Sequence, residues 1–234
     1  MCGRYYRRSD KQQIAEAFRL GLPTTFEILP SFNVCPQSFQ PIVRLDEETG
    51  KRELAQARWG LVPYWAKDAR MAYNTINAKA ETLATSPAFR EALKRRRCLV
   101  PLDGFYEWEP SGGKNKQPYA VGLASCGLFG VAGLWDRWKD KASGEWLETF
   151  TVITTDPNEV MEPFHDRMPV IVRAGDFQRW MDPGDPARLP VDLLRSYPAE
   201  EMKAWKIGPA VGNVRNDHAG LLAPLDEPAQ RLLF

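Results

Sequence analysis

The pattern of apolar and polar residues predicts one amphipathic helix near the start of the chain, over residues 9–20. Ile14 and Phe18 lie four positions apart and fall on one apolar face at the 3.6-residue period. Ser9 and Gln12 have the spacing of a capping box, so the helix is expected to begin there. A glycine and a proline follow and end it.

Farther along, short apolar runs bounded by turn residues predict strands near residues 41–45, 53–59, 98–101, 104–109, 118–124, 128–135, 146–154 and 169–173. Short helices are predicted from Ser86 and over 176–181, whereas 28–36 and most of 59–80 are expected to be irregular. The proline-rich tail is expected to wrap the domain in short pieces.

The order of these elements indicates the fold class. No regular long helices separate the strands, which favours an α+β fold with a mainly antiparallel sheet over a doubly wound one. The sequence shows no repeat, low-complexity linker or strong boundary, so residues 1–234 are expected to form a single domain.

The composition is that of an ordinary soluble protein, with 44% hydrophobic and 26% charged residues. The net charge of +1 does not by itself indicate a nucleic-acid partner. No run approaches the roughly 20 apolar residues of a membrane span. We therefore expect a monomer in the cytoplasm without a membrane partner.

The four cysteines are Cys2, Cys35, Cys98 and Cys126, and no two of them have a C-x-x-C spacing. This spacing argues against a zinc or redox motif, and we expect neither a metal nor another cofactor. Cys35, Cys98 and Cys126 stand in apolar surroundings and are expected to be small core residues.

The amino terminus carries the most distinctive candidate chemistry. If Met1 is removed, Cys2 presents an α-amine with an ordinary pKa of about 7.7–8.0 beside a thiol near about 8.5. With an aldehyde, the amine forms a Schiff base and the thiolate then closes a thiazolidine ring. The alternative is that Cys2 is simply the second residue of an ordinary terminus.

Three further side chains could support acid–base or positioning chemistry. His165 precedes an apolar strand, and Asn77 offers an amide to orient a ring. Glu107 lies in an aromatic strand, where alternation places it on one face with Phe105 and Glu109; burial there would raise its pKa. The alternatives are a surface histidine in a polar turn, a turn asparagine and an exposed glutamate.

Cations and aromatic side chains are interleaved along the chain. The cations are Arg4, Arg7, Arg8, Lys67, Arg70, Lys79 and the run 94–97; the aromatics are Phe39, Tyr64, Trp65 and Trp108. Together they could form a channel for single-stranded nucleic acid, with cations on phosphates and rings against bases. For any one of these cations, solvated surface charge is the default interpretation.

Seven short blocks occur in order along the chain: Met1-Cys2-Gly3-Arg4-Tyr5, Phe32-Asn33-Val34-Cys35-Pro36, Trp59-Gly60-Leu61-Val62-Pro63, Ile76-Asn77-Ala78-Lys79-Ala80-Glu81-Thr82, Gly104-Phe105-Tyr106-Glu107-Trp108, Phe164-His165-Asp166-Arg167-Met168-Pro169 and Val211-Gly212-Asn213-Val214. In these blocks the sequence resembles the SRAP (SOS-response-associated peptidase) family of abasic-site-processing proteins. The resemblance implies a single α+β domain, with a barrel-like β-sheet core flanked by short helices.

The resemblance also implies a function. It implies that Met1 is lost and that Cys2 forms a thiazolidine crosslink with an abasic site in single-stranded DNA. Glu107 would handle the amine proton, Asn77 would orient the sugar or the thiazolidine, and His165 would assist ring opening and Schiff-base chemistry.

The family resemblance further implies DNA contacts around the lesion. Arg4 would contact phosphate, and Asn33, Pro36 and Trp65 would line the lesion site or act as a wedge. Lys79 stands where the family often has arginine. The positive charge is kept, but the planar guanidinium that can bind a phosphate through two N–H groups is lost.

Two other classes of function remain open from the sequence. An amino-terminal-nucleophile glutamine amidohydrolase also begins Met-Cys-Gly, and a binding module could recognise damaged single-stranded DNA without chemistry. The peptidase label of the family could amount to no more than removal of the residue before Cys2.

Overall fold

The computed structural model describes residues 2–21, 26–110 and 116–225 of the 234-residue chain. The strands in these ranges are β1 (Tyr5–Arg7), β2 (Ser31–Val34), β3 (Phe39–Leu45), β4 (Arg52–Trp59), β5 (Asn77–Lys79), β6 (Arg97–Leu102), β7 (Gly104–Trp108), β8 (Pro118–Leu123), β9 (Phe129–Lys139), β10 (Trp146–Thr155), β11 (Met168–Pro169), β12 (Ile171–Val172) and β13 (Met202–Lys206). The α-helices are α1 (Lys11–Phe18), α2 (Arg90–Arg95) and α3 (Phe177–Met181).

Five strands close into a barrel. The pairing runs from β10 to β4, β3, β6 and β9, and β9 pairs back with β10. Most neighbours are antiparallel, whereas β10 runs parallel to β4 and to β5. The predicted α+β class with a mainly antiparallel, barrel-like core and short flanking helices is confirmed.

A second sheet, ordered β13-β8-β7-β1-β2, shares its core with the barrel. Tyr5 and Phe105 come from this sheet, and Trp59 and Phe150 from the barrel; all four are fully buried. The rings of Tyr5 and Trp59 lie 5.2 Å apart, and those of Trp59 and Phe150 6.3 Å apart. This apolar contact fixes β1, and therefore the amino terminus, against the barrel wall.

Helix α1 forms where its apolar period predicts, with Ile14 and Phe18 buried, but its cap differs from the prediction. Asp10 is the N-cap and forms the capping box with Gln13. Ser9 instead donates its backbone N–H and its hydroxyl to the carboxylate of buried Asp103. Because Asp103 accepts both hydrogen bonds from Ser9, the N-cap is Asp10 rather than the expected Ser9.

The second predicted helix begins later than Ser86. α2 starts at Arg90, because the Ser86 carbonyl accepts the N–H groups of Phe89 and Arg90 in a preceding turn. The inward positions Phe89 and Leu93 are buried as predicted.

Several short strands lie where irregular chain was expected. β2 lies within 28–36, β5 within 59–80 and β13 in the tail, and each pairs with a strand distant in sequence. The predicted strand 169–173 is interrupted at Val170, whose N–H donates to Ile153 and whose carbonyl accepts from Ala132. Short strands of this kind depend on their partners rather than on a local pattern.

The prediction that three cysteines are core residues holds for Cys98 only. Cys35 is partly buried and Cys126 is exposed. Cys126 ends a turn after β8, donates its N–H to Leu123 and has a φ of 58°. In the part of the chain that the structure describes, no helix is long and apolar enough to cross a membrane.

Candidate active site

A cleft of about 770 Å³ brings together side chains from two distant blocks of the sequence. Its lining is formed by Glu107, Trp108, Pro110, Lys116, Glu162, Phe164, His165 and Asp166. The first three come from the end of β7, and the last four from the turn that leads to β11. Glu107 and His165, predicted separately as acid–base candidates, thus face one cavity.

Cys2 precedes β1, from which Gly3 and Arg4 separate it, and it is fully buried. Asn77, on β5, donates a side-chain N–H to the Cys2 carbonyl oxygen at 3.0 Å. The other amide atom of Asn77, Oδ1, is buried and has no hydrogen-bond partner among the described residues. Asn77 therefore holds the backbone of Cys2 and keeps a free acceptor beside it. The predicted loss of Met1 concerns a residue outside the described ranges.

Burial shifts the ionisation of the two principal candidates in the same direction. It raises the pKa of the Glu107 carboxyl to about 7. It raises the pKa of the Cys2 thiol to about 12, and the negative charge of Glu107 adds to this effect. Glu107 is thus poised to exchange a proton near neutral pH, while the Cys2 thiol stays protonated.

The contacts of His165 indicate which of its two ring nitrogens carries the proton in the neutral form. Its Nδ1 lies 3.0 Å from the backbone N–H of Arg167 and 2.6 Å from Oδ1 of Asp166. The Arg167 N–H is fixed by the backbone, whereas the Asp166 side chain is 85% exposed and competes with water. We assign Nδ1 as the acceptor from Arg167, which leaves the proton of neutral His165 on Nε2. Burial lowers the pKa of His165 and favours this neutral form.

Arg167 is the centre of a group of ion pairs and hydrogen bonds to which the sequence analysis gave no role. Its guanidinium contacts both carboxylate oxygens of Glu81 at 2.9 and 3.0 Å and Asp156 at 3.1 Å. It also donates to the carbonyl of Thr154 on β10. The only sequence signal was its place next to His165, since its partner Glu81 lies 86 positions away.

Arg4 and Asn33, expected to contact DNA, are engaged with the tail. Arg4 donates to Asn33 at 2.8 Å and to the carbonyl of Val211 at 2.9 Å, and its guanidinium lies 5.9 Å from the Trp108 ring centre. The Asn33 amide donates to the carbonyls of Val211, Asn213 and Asn216. The structure therefore gives both residues a role in fixing the VGN turn beside β1 and β2.

The remaining DNA candidates do not line the cleft. Lys79 follows Asn77 by two residues on β5, so both lie on one face of that strand, and Lys79 is exposed. Pro36 directly follows Cys35 at the end of β2 and is partly buried. Trp65 is 46% exposed, in a segment anchored by the Trp138 indole donating to Ala66. Within the described ranges, no cluster of three or more His, Cys, Asp or Glu side chains could hold a metal ion.

Fold and cleft together define a protein built on a closed five-stranded barrel, with a buried near-terminal cysteine beside a raised-pKa carboxylate. Residues 1–214 match the family model described as SOS response associated peptidase (SRAP). The chain belongs to this family.

The relatives cover nearly the whole chain. It is 41% identical over 226 residues to the abasic site processing protein YoqW of Bacillus subtilis, covering 95% of this chain and 99% of that protein. It is 32% identical to the abasic site processing protein HMCES of Gallus gallus, covering 95% of this chain and 73% of that protein. A crystal structure of a protein from Bacteroides thetaiotaomicron superposes with a TM-score of 0.81 at 27% identity, covering 96% of this chain and 100% of that one.

Proposed function

We propose that this protein processes abasic sites by forming a thiazolidine crosslink between Cys2 and the open-ring sugar in single-stranded DNA. The crosslink requires removal of Met1, by the protein itself or by an aminopeptidase, because an amide nitrogen does not form a Schiff base. The adduct protects the lesion while the DNA is repaired. The names of the relatives, which are abasic site processing proteins, support this proposal.

The observation that carries the proposal is the contact set of Cys2. Asn77 holds its carbonyl oxygen at 3.0 Å, and Glu107 is close enough for its charge to act on the thiol. An ordinary amino terminus has no need of either partner, and most termini are loosely held. This arrangement favours chemistry at the first atoms of the processed chain.

The amine acts first in the proposed sequence. Glu107, with a pKa of about 7, accepts a proton from the Cys2 ammonium. The free amine then attacks C1′ of the sugar aldehyde, and the resulting carbinolamine loses water to give an imine. The buried Asn77 Oδ1 lacks a partner and can accept a hydrogen bond from a sugar hydroxyl or the new ring nitrogen.

The thiol acts second because its pKa of about 12 keeps it protonated until the imine has formed. Its sulfur then bonds to C1′, and its proton goes to the imine nitrogen, which closes the five-membered ring. The balance is one aldehyde and one cysteine giving one thiazolidine and one water. The same groups acting in reverse release the crosslink.

His165 serves the sugar in this proposal. The neutral form carries its proton on Nε2 and can donate a hydrogen bond to the ring oxygen as the closed sugar opens to the aldehyde. The C1′ hydroxyl loses its proton and the ring oxygen gains one, so His165 polarises the breaking bond and is not itself deprotonated. The cleft of about 770 Å³ is open enough for an extruded nucleotide at the wall that holds His165 and Glu107. The exposed Trp65 and Lys79 are suited to contact the bases and phosphates of the flanking strand.

The decisive experiment is crosslinking of single-stranded DNA that contains one abasic site, resolved on a denaturing gel and by intact mass. The processed protein is expected to gain the mass of the DNA less one water, and Cys2→Ala to form no stable adduct. Cys2→Ser keeps the amine, so borohydride should trap its Schiff base without a thiazolidine. Cys126→Ser, which removes an exposed thiol elsewhere, is the matched control. Equal yields for Cys2→Ala and the unaltered protein would reject the proposal.

A further inference from the structure

The exposed Cys126 forms a close pair with a lysine of the neighbouring strand. Its Sγ lies 2.7 Å from Nζ of Lys203, which is on β13. The ammonium is held in place by the carbonyl of Ala124 at 3.3 Å and by the ring of Trp205, whose centre is 5.8 Å away. The Lys203 ammonium is thus held in a position where it stabilises a thiolate at Cys126.

A cavity of about 380 Å³ opens beside this pair. Tyr6, Trp205 and Leu222 give it apolar walls, and Arg8 lies at its edge together with Lys203. Arg8 forms an ion pair with buried Asp103 at 3.2 Å and also donates to the carbonyl oxygen of Cys126. The cavity therefore combines a thiol, aromatic surface and two cations, one of which is paired with the Asp103 carboxylate that also lines the cavity.

This cavity is separate from Cys2 and from the cleft that Glu107 and His165 line. Adjacent residues of a strand point to opposite faces. Tyr5 packs in the core cluster that contains Cys2, whereas Tyr6 lines the cavity that contains Cys126. The second sheet thus stands between the two thiols, and chemistry at Cys126 need not disturb Cys2.

We propose that Cys126 is a modification site that exchanges with low-mass disulfides carrying carboxylate groups. The Cys126 thiolate attacks one sulfur of the disulfide, a new S–S bond joins it to that half, and the other half leaves as a thiolate. No further oxidant is consumed. Arg8 and Lys203 provide the charge to hold a carboxylate, and the walls of Trp205 and Leu222 suit the aliphatic part of a small peptide.

The lysine contact affects the rate in two opposing ways. The hydrogen bond from Lys203 lowers the pKa of the Cys126 thiol and so enlarges its thiolate fraction at neutral pH. A tenfold gain in thiolate is offset by about a threefold loss of intrinsic nucleophilicity, since the Brønsted slope is about 0.4–0.5. The net expectation is an acceleration of about threefold for each tenfold gain in thiolate.

The test uses the full chain with oxidised glutathione at pH 7, followed by acid quench, intact mass and peptide mapping. One glutathione moiety should add to Cys126 ahead of Cys2, Cys35 and Cys98. Cys126→Ser should abolish this addition and leave crosslinking to abasic DNA unchanged. Addition that begins at another cysteine would overturn the proposal.

Lys203 and its neighbour provide a matched pair of variants. Lys203→Met should slow the exchange about threefold or more and shift the rise of the rate to higher pH. Lys203→Arg should restore the rate. Lys206→Met removes an exposed lysine from the same strand and should change neither. Equal behaviour of Lys203→Met and Lys206→Met would show that the pair does not activate the thiol.

Recognition of the carboxylate is tested separately with an uncharged probe. Arg8→Met should slow the reaction of oxidised glutathione about threefold or more, while leaving that of bis(2-hydroxyethyl) disulfide unchanged. If both disulfides lose rate equally, Arg8 only shapes the turn, and the assignment of an anionic disulfide is wrong.

Discussion

Asn77 donates its side-chain N–H to the carbonyl oxygen of Cys2 at 3.0 Å, which joins a strand on the barrel to a residue just ahead of β1. The two residues are 75 positions apart in sequence. The bond fixes the candidate nucleophile at the boundary between the two sheets. Four predictions follow from this boundary and the residues around it.

Asn77→Asp is expected to slow crosslinking about tenfold. The change keeps the shape but places a carboxylate oxygen opposite the Cys2 carbonyl, so a donor is lost and two acceptors face each other. Single-turnover crosslinking with abasic single-stranded DNA measures this rate. Asn74→Asp, at an exposed position three residues earlier, is the control and should keep the full rate. Equal rates for both variants would remove Asn77 from the mechanism.

Glu107→Gln is expected to slow crosslinking at pH 7.5 by on the order of a hundredfold, the usual scale of general-base catalysis. In the unaltered protein the rate should rise as the pH passes about 7, because the carboxylate is the active form. The variant should lose that rise and follow only the amine, at about 7.7–8.0. A pH–rate profile measures both. DNA binding should be little changed; parallel losses in binding and rate would make Glu107 structural.

Glu107 is also expected to make stability depend on pH. Its pKa is 4.5 when unperturbed and about 7 when folded, so the native state holds a proton that the unfolded state releases. Stability contributed by this proton is full below about 4.5, falls as the pH rises towards about 7, and is then lost. The cost above pH 7 is on the order of 3 kcal/mol.

Glu107→Gln should therefore be more stable than the unaltered protein at pH 8, and the difference should shrink at pH 5. Urea unfolding at the two pH values measures the free energy of unfolding. Glu109→Gln removes the same charge from the residue that follows the end of β7 and should show a much smaller difference. A pH-independent gain would contradict the raised pKa.

Asn33→Asp is expected to destabilise the fold by about 2–4 kcal/mol. The buried Asn33 amide donates to the carbonyls of Val211, Asn213 and Asn216, and a carboxylate there would face three acceptors. Urea unfolding checks the loss. Asn213→Asp is the control, because its exposed side chain only accepts, from the N–H of Arg215, and a carboxylate can still do so. Similar losses in both variants would argue against this role of Asn33.

Local sequence patterns predicted those helices and strands that are long enough to show a hydrophobic period. The helix through Ile14 and Phe18 and the longer strands formed as expected, because their apolar faces are set by neighbours in sequence. The ends of elements differ from the prediction where a group distant in sequence binds the expected end residue. Asp103, for example, accepts a hydrogen bond from Ser9, which was expected to cap α1. The three-residue strand β5 and the tail strand β13 carry too few positions to show a period.

The candidate site divides in the same way. Residue type and strand alternation placed Glu107 on one face with Phe105 but left a buried and an exposed glutamate as alternatives; the structure shows that both residues are buried. The pairing of Arg167 with Glu81, and the use of Arg4 and Asn33 to hold the tail, join residues far apart along the chain. Such pairs leave no local pattern.

The sequence by itself determined the fold class, the family and which residue types could react, because these depend on residue identity and short-range period. Only the tertiary structure decided that Glu107 and His165 share one cleft, that Asn77 holds Cys2, and that Cys126 lies beside Lys203 in the open. The reason is physical: burial sets the pKa values, and distances between groups are set by the closure of the barrel against the second sheet, which no stretch of sequence specifies alone.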